Sequence, residues 1–198
     1  MPETYVNRRG DTYYLHEGKT KTGKSKYYCS KTRSENVADN MPEGFEWHEH
    51  SDSGMVSVRK RRPSRILPAE KQMPDDGVHQ IAKLKHFLIE QNADDLTVFL
   101  PDRNPEDVER LMSRLLPISS QESAAMRDWT LRNVRYTAMM RFVLKYADRR
   151  LFLAERYCFR GSIDGWIQLS PPAPLELLLK EFVPHLGQES FFDLIPGG

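Results

Sequence analysis

Gly18-Lys19-Thr20-Lys21-Thr22-Gly23-Lys24-Ser25 satisfies the pattern G-x-x-x-x-G-K-[ST] letter for letter. In a phosphate-binding loop of that form, backbone N–H groups wrap the phosphates. The lysine reaches the β/γ oxygens and the hydroxyl holds Mg²⁺. The chemistry needs a buried strand before the loop and a helix after it, with the helix N-terminus facing the phosphates. Here Tyr13-Tyr14-Leu15-His16-Glu17 is too polar for a buried parallel strand, and Lys26-Tyr27-Tyr28-Cys29-Ser30 favours strand over helix. No βαβ pattern follows in residues 30–75, and the strand-like LTVFLPD ending in Asp102 is interrupted by Pro101. Gly18, Gly23, Lys24 and Ser25 therefore read as a hairpin loop. No cofactor is expected.

His48, His50 and Asp52 alternate, so on an extended strand they share a face. Two imidazoles and a carboxylate suit zinc or a non-haem iron triad. The segment runs straight into the turn composition Ser51-Asp52-Ser53-Gly54, where the alternation breaks, so a polar hairpin edge explains the same letters. His16 and Cys29 face each other across the first expected hairpin, but no orienting group or oxyanion donor accompanies them. Cys29 and Cys158 read as packing residues, too few for a disulfide framework or a zinc-finger set. Arg156 and Arg160 share a strand face and could hold an anion bidentately. Pairing with acids of a covering helix, such as Glu176 or Glu181, is the expectation. No catalytic residue is assigned.

Six cations and no acid lie between residues 19 and 33, with Tyr27 and Tyr28 among them. Aromatic rings that stack bases, beside cations that follow phosphates, are the recipe for single-strand recognition. A second run, Arg59-Lys60-Arg61-Arg62 with Arg65 nearby, suits nucleic acid, an acidic partner or a nuclear address. The candidate contact set is therefore Lys19, Lys21, Lys24, Lys26, Tyr27, Tyr28, Arg59, Lys60, Arg61 and Arg62. The partner is a protein or a nucleic acid.

The elements that must position these residues fall into two compositions. Residues 1–75 hold eight Leu, Ile, Val or Phe and a net charge of +3, while residues 76–198 hold 38 and a net of −2. DTYYLHEG with KSKYYCSK, and MPEGFEWHEH with SGMVSVRKR, predict two antiparallel hairpins. The segment between, with Pro63, Pro68 and Pro74, predicts extended linker.

Beyond it, HQIAKLKHFLIEQ predicts a helix, or a short helix running into a strand. LTVFLP reads as a strand. NPEDVERLMSRLL is a helix with Asn104 as N-cap, Pro105 first and Val108, Leu111, Met112 and Leu115 on one stripe. SSQESAAMRDWTLRNV adds a helix, and residues 136–161 a hairpin around Ala147-Asp148-Arg149. GWIQLS is a further strand, PAPLELLLKEFVPHLG an amphipathic helix bent or stopped by Pro184, and ESFFDLI a coda that docks on the sheet or forms a subunit contact.

The segments YYLHEGKTKTGKSKYYCS with MPEGFEWHE, and AERYCFRGSIDGWIQL with FVPHLGQESFFDLI, resemble an uncharacterised prokaryotic hypothetical-protein family with this two-part layout. That resemblance implies a prokaryotic setting, which disfavours the nuclear address. It carries over no activity and no binding residue.

The expected class is α+β: a small N-terminal antiparallel β-meander at 1–62, a linker at 63–75, and a larger α+β domain at 76–198. No apolar run approaches 18 residues, and the opening MPETYVNRRG lacks the apolar stretch of a leader. A cytoplasmic protein without a membrane span is expected. The first functional expectation is a non-enzymatic binding protein. Nucleic-acid binding through the basic, tyrosine-rich module is the second, and a metal-dependent enzyme the third.

Overall fold

The computed structural model describes residues 2–115, 119–160 and 163–195, with backbone alone at 113, 120, 159, 160 and 163. The fold is α+β, built on antiparallel sheets. Two compact units emerge, one comprising Met1–Arg61 with Arg103–Arg135, the other Arg62–Asp102 with Tyr136–Gly198.

In the first unit, β1 (Thr4–Val6), β2 (Thr12–Lys19) and β3 (Ser25–Ser30) form a meander in the order β1-β2-β3. β1 is new relative to the sequence expectation, because three residues are too few to show alternation. β4 (Phe45–Glu49) and β5 (Val56–Lys60) make a separate two-stranded sheet, with Trp47 opposite Val58. Leu15, fully buried, and Val56 are the apolar heart of this part. So small a core needs polar fastening. The segment after β3 returns to pair with β2 at a single bridge, His16 with Val37.

The same unit holds α2 (Pro105–Leu115) and α3 (Ser120–Asn133), which pack as a helical pair within the connection between two strands of the other sheet. Asn104 caps α2 through its side-chain oxygen, which accepts from the Glu106 N–H at 3.0 Å. A reciprocal Ser119–Glu122 box opens α3. Leu111 and Leu115 stay 57% and 67% exposed, so the apolar stripe that defined α2 in the sequence is not core.

The second unit begins with a departure from expectation. Residues 68–75 of the expected linker form, with 76 and 77, the helix α1 (Pro68–Gly77). Pro68 sits in the first turn, where its fixed φ and missing N–H cost nothing. Glu70 accepts from the Leu67 N–H at 2.8 Å and from the guanidinium of Arg150. A π-helical turn at Val78–Ala82 follows, then β6 (Leu88–Asn92), so HQIAKLKHFLIEQ is helix running into strand.

β7 (Asp95–Pro101), β8 (Tyr136–Tyr146), β9 (Leu151–Arg160) and β10 (Ile163–Gln168) complete a sheet ordered β10-β9-β8-β7-β6, with the short β11 (Ala173–Pro174) on β9. Alternate residues Leu96, Val98, Met140, Phe142, Phe152 and Ala154 are fully buried. They share a core with Leu178, Leu179 and Phe182 of α4 (Leu175–Phe182) and with Phe191 of the coda. Each fully buried Leu or Phe contributes about 1.5–3 kcal/mol. Phe191 is core, while Phe192 is 53% exposed. No described helix is long and apolar enough to cross a membrane.

Candidate functional site

The octet that mimics a phosphate loop is the turn of the β2–β3 hairpin, with Gly18 opposite Lys26 and Lys19 opposite Ser25. The Thr20 N–H donates to the Lys24 carbonyl at 2.8 Å, and the Gly23 N–H donates to the Thr20 carbonyl at 2.9 Å. Gly23 has φ +79°, a left-handed conformation that favours glycine. The Lys24 N–H donates to Thr20 Oγ1, and the Ser25 hydroxyl donates to Glu17 Oε1 at 2.8 Å. A strand follows the octet where a phosphate loop requires a helix. The lysine N–H and serine hydroxyl are engaged within the hairpin.

Strand alternation divides the two tyrosines. Tyr27 turns to one side, its hydroxyl donating to Glu17 at 3.3 Å and its ring meeting Phe45 edge-on at 5.2 Å. Cys29 shares that side and its thiol donates to the Val56 carbonyl at 3.1 Å; burial pushes the thiol's pKa up. On the other side Tyr28 stacks on His16, centroids 5.2 Å apart and planes 15° apart, and remains 40% exposed. Its hydroxyl accepts from Asn36 Nδ2 at 2.9 Å.

His16 is 1% exposed, with Nε2 3.1 Å from the Thr32 carbonyl and Nδ1 3.2 Å from Asn36 Oδ1. It faces away from Cys29, whose cross-strand partner is Leu15, so the two do not meet as a catalytic pair. Of the two tyrosines, Tyr28 alone is exposed beside the lysines.

Lys19, Lys21, Lys24 and Lys26 are all exposed. Among the described residues none of their ammonium groups is in an ion pair or hydrogen bond. Glu17, the single acid between residues 12 and 30, accepts from Ser25 and Tyr27 instead. Lys31, next along, is engaged at 2.7 Å by Asp11.

The second basic run is largely consumed. Arg59 Nε lies 2.9 Å from Glu46 Oε1, and Arg61 Nε 3.7 Å from Glu46 Oε2. In the other unit Arg62 donates to Asn92 Oδ1 at 3.3 Å, and Arg65 holds Asp94 through its backbone N–H and its guanidinium. Lys60 is exposed at the end of β5. The run is not a single basic surface.

His48 and His50 share a face as their spacing requires, their rings 4.5 Å apart edge to face. His50 Nε2 lies 3.3 Å from Ser57 Oγ. β4 ends at Glu49 and the chain turns, with the Gly54 N–H donating to the His50 carbonyl at 2.7 Å, while Asp52 accepts from Ser53. Among the described residues no group of three or more His, Cys, Asp or Glu is placed to hold a metal ion.

Arg156 is 6% exposed and donates to the carbonyls of Leu194 at 2.5 Å and Phe192 at 3.4 Å. That corrects the expected pairing with Glu176 or Glu181; Glu176 binds Lys180 at 2.7 Å instead. The C-terminal carbonyls run where the helix acids do not reach, and an arginine buried without acceptors is costly. The side chain of Arg160 lies outside the described residues.

The sequence reading passed over Asn7-Arg8-Arg9-Gly10-Asp11, the β1–β2 turn, although Asn, Gly and Asp together are a turn signal. Asn7, 4% exposed, accepts the N–H groups of Arg9 and Asp11 and donates to the Gly54 carbonyl at 2.7 Å. Arg8 reaches Glu49 Oε1 at 3.3 Å and the carbonyls of His50 and Ser51. Polar bonds thus fasten two turns of the β-module. Comparison with family models, with curated proteins and with solved structures finds no match to this chain.

Proposed function

We propose that this chain is a non-enzymatic binding protein whose β2–β3 hairpin contacts a single-stranded nucleic acid. The observation that carries the reading is the set of four exposed lysines, Lys19, Lys21, Lys24 and Lys26, on a hairpin whose one carboxylate is already engaged. Four exposed ammonium groups against one carboxylate leave a local excess of positive charge, and such groups release condensed counterions when they meet phosphates, which drives binding. Tyr28 adds a ring held in place by His16 and Asn36, and such a ring stacks a base at low cost in side-chain entropy. Lys26 and Tyr28 lie two residues apart on one side of β3, about 7 Å along the strand. That spacing suits one nucleotide of an extended single strand.

The test is fluorescence anisotropy of labelled single- and double-stranded RNA and DNA, titrated with the full chain at several salt concentrations. Binding that weakens with salt, prefers single strands and disappears when the four lysines become Glu supports the reading. No binding at low salt overturns it. Binding that survives the four substitutions moves the contact elsewhere and overturns the assignment to the hairpin.

A further inference from the structure

We propose that Arg9, held beside Arg8 over Gly54, is a binding site for a phosphoryl oxyanion. The site lies at the β1–β2 turn, the far end of β2 from the lysine hairpin and about 26 Å along the strand. It stands independently of the nucleic-acid reading.

Two guanidinium groups converge on one glycine. A Cβ added at Gly54 would lie 3.3 Å from Arg8 Cζ and 3.3 Å from Arg9 Nε, so the missing side chain makes room for both cations. Gly54 has φ +67°, which disfavours a side chain there in any case. Arg8 has its counter-charge in Glu49. Arg9 forms no ion pair among the described residues: Asp11, the acid next to it in the turn, is bound directly by Lys31 at 2.7 Å and interacts with Arg9 only at longer range, and Asp52 of the facing turn accepts from Ser53. Arg9 Nε is buried and has no hydrogen-bond partner among the described residues.

A buried donor on a permanent cation is costly to leave unmade, and a ligand that accepts from it recovers that cost. Arginine presents Nε–H and an adjacent Nη–H in one plane, a fork that matches two oxygens of a phosphoryl group. Arg8 and Lys31 are matched by Glu49 and Asp11, which leaves the Arg9 charge to a phosphodiester or a phosphate monoanion, with Asp52 of the facing turn opposing the ligand. Asn7 keeps the turn rigid through its three hydrogen bonds, so the fork is positioned before the ligand arrives.

The test is a titration of the full chain at constant ionic strength, read at the backbone amides of Gly10 and Gly54 by two-dimensional NMR. The probes are inorganic phosphate, dimethyl phosphate and acetate. A saturable shift with a phosphate probe, weakened at least tenfold in Arg9→Gln and tightened in Asp52→Asn, supports the site. Arg9→Gln should fold, because among the described residues the arginine side chain makes no hydrogen bond and its backbone bond to Asn7 is kept.

Equal response to both phosphate probes assigns a backbone diester, whereas response to inorganic phosphate alone assigns a monoester. No saturable shift, an unchanged shift in Arg9→Gln, or an equal response to acetate overturns the proposal.

Discussion

Two stretches of this chain look alike as letters. Residues 19–26 carry four lysines, and residues 59–62 carry four cations in a row. In the folded protein they differ. The lysines project from a tight turn beside a carboxylate that two hydroxyls already engage. Arg59 and Arg61 bind Glu46, which sits on the neighbouring strand opposite Arg59 in the register. Arg62 and Arg65 reach Asn92 and Asp94. Charge density along a sequence therefore says little about charge available to a partner. Cross-strand neighbours decide it.

The largest effect that would sharpen this contrast is on binding. Reversing Lys19, Lys21, Lys24 and Lys26 to Glu should weaken single-stranded RNA by at least roughly 100-fold at low salt, measured by anisotropy. Thermal stability should stay within about 0.5 kcal/mol of the parent, because among the described residues these exposed side chains make no hydrogen bond or ion pair. A large loss of stability would instead make the lysines structural and break the comparison.

Next in size is the salt dependence itself. Four phosphate contacts with a single strand predict a slope of log K against log salt of about −3, and Lys24→Ala should reduce its magnitude by about 0.7. A slope near zero would remove the electrostatic basis of the proposed contact.

Arg59→Gln should behave in the opposite sense. It breaks a half-buried pair with Glu46 and should cost about 1 kcal/mol in denaturant unfolding. RNA affinity should change little, since that charge is already neutralised. A larger loss of affinity than of stability would return Arg59 to the contact surface.

The smallest effect is on pH dependence. Burial raises the carboxyl pKa of Asp94, but bonds from the Arg65 guanidinium and N–H outweigh it and hold the group below the ordinary carboxylate range. A lowered folded value stabilises above the unfolded pKa, and the contribution is lost as pH falls through the folded one. Acid unfolding between about pH 4 and the folded value should therefore be shallower in Arg65→Gln than in the parent. Identical acid limbs would leave that ion pair without weight.

The loop reading of Gly18–Ser25 was legible from its flanks alone, since the polar residues before it and the tyrosines after it fit a hairpin. The α2 helix was legible from its cap and spacing, yet its stripe did not reveal that Leu111 and Leu115 would stay exposed. Periodicity reports a face, not what covers it. The α1 helix was hidden because prolines normally disfavour helix, and Glu70 with Arg150 joins residues 80 apart. The role of Arg156 was hidden for a similar reason, since its acceptors are backbone carbonyls and carry no letter of their own.

By itself the sequence determined the periods: alternating strands in the N-terminal module, the capped helix after Asn104, and the denser apolar content of residues 76–198. These follow from local sterics and from side-chain direction, which act over a few residues. Tertiary structure alone decided which cations remain free and which tyrosine is exposed. It also decided that Arg8 and Arg9 meet over a glycine more than 40 positions away. Those outcomes depend on cross-strand register and on loops returning from distant sequence, where one residue of slip would exchange the two faces of a strand.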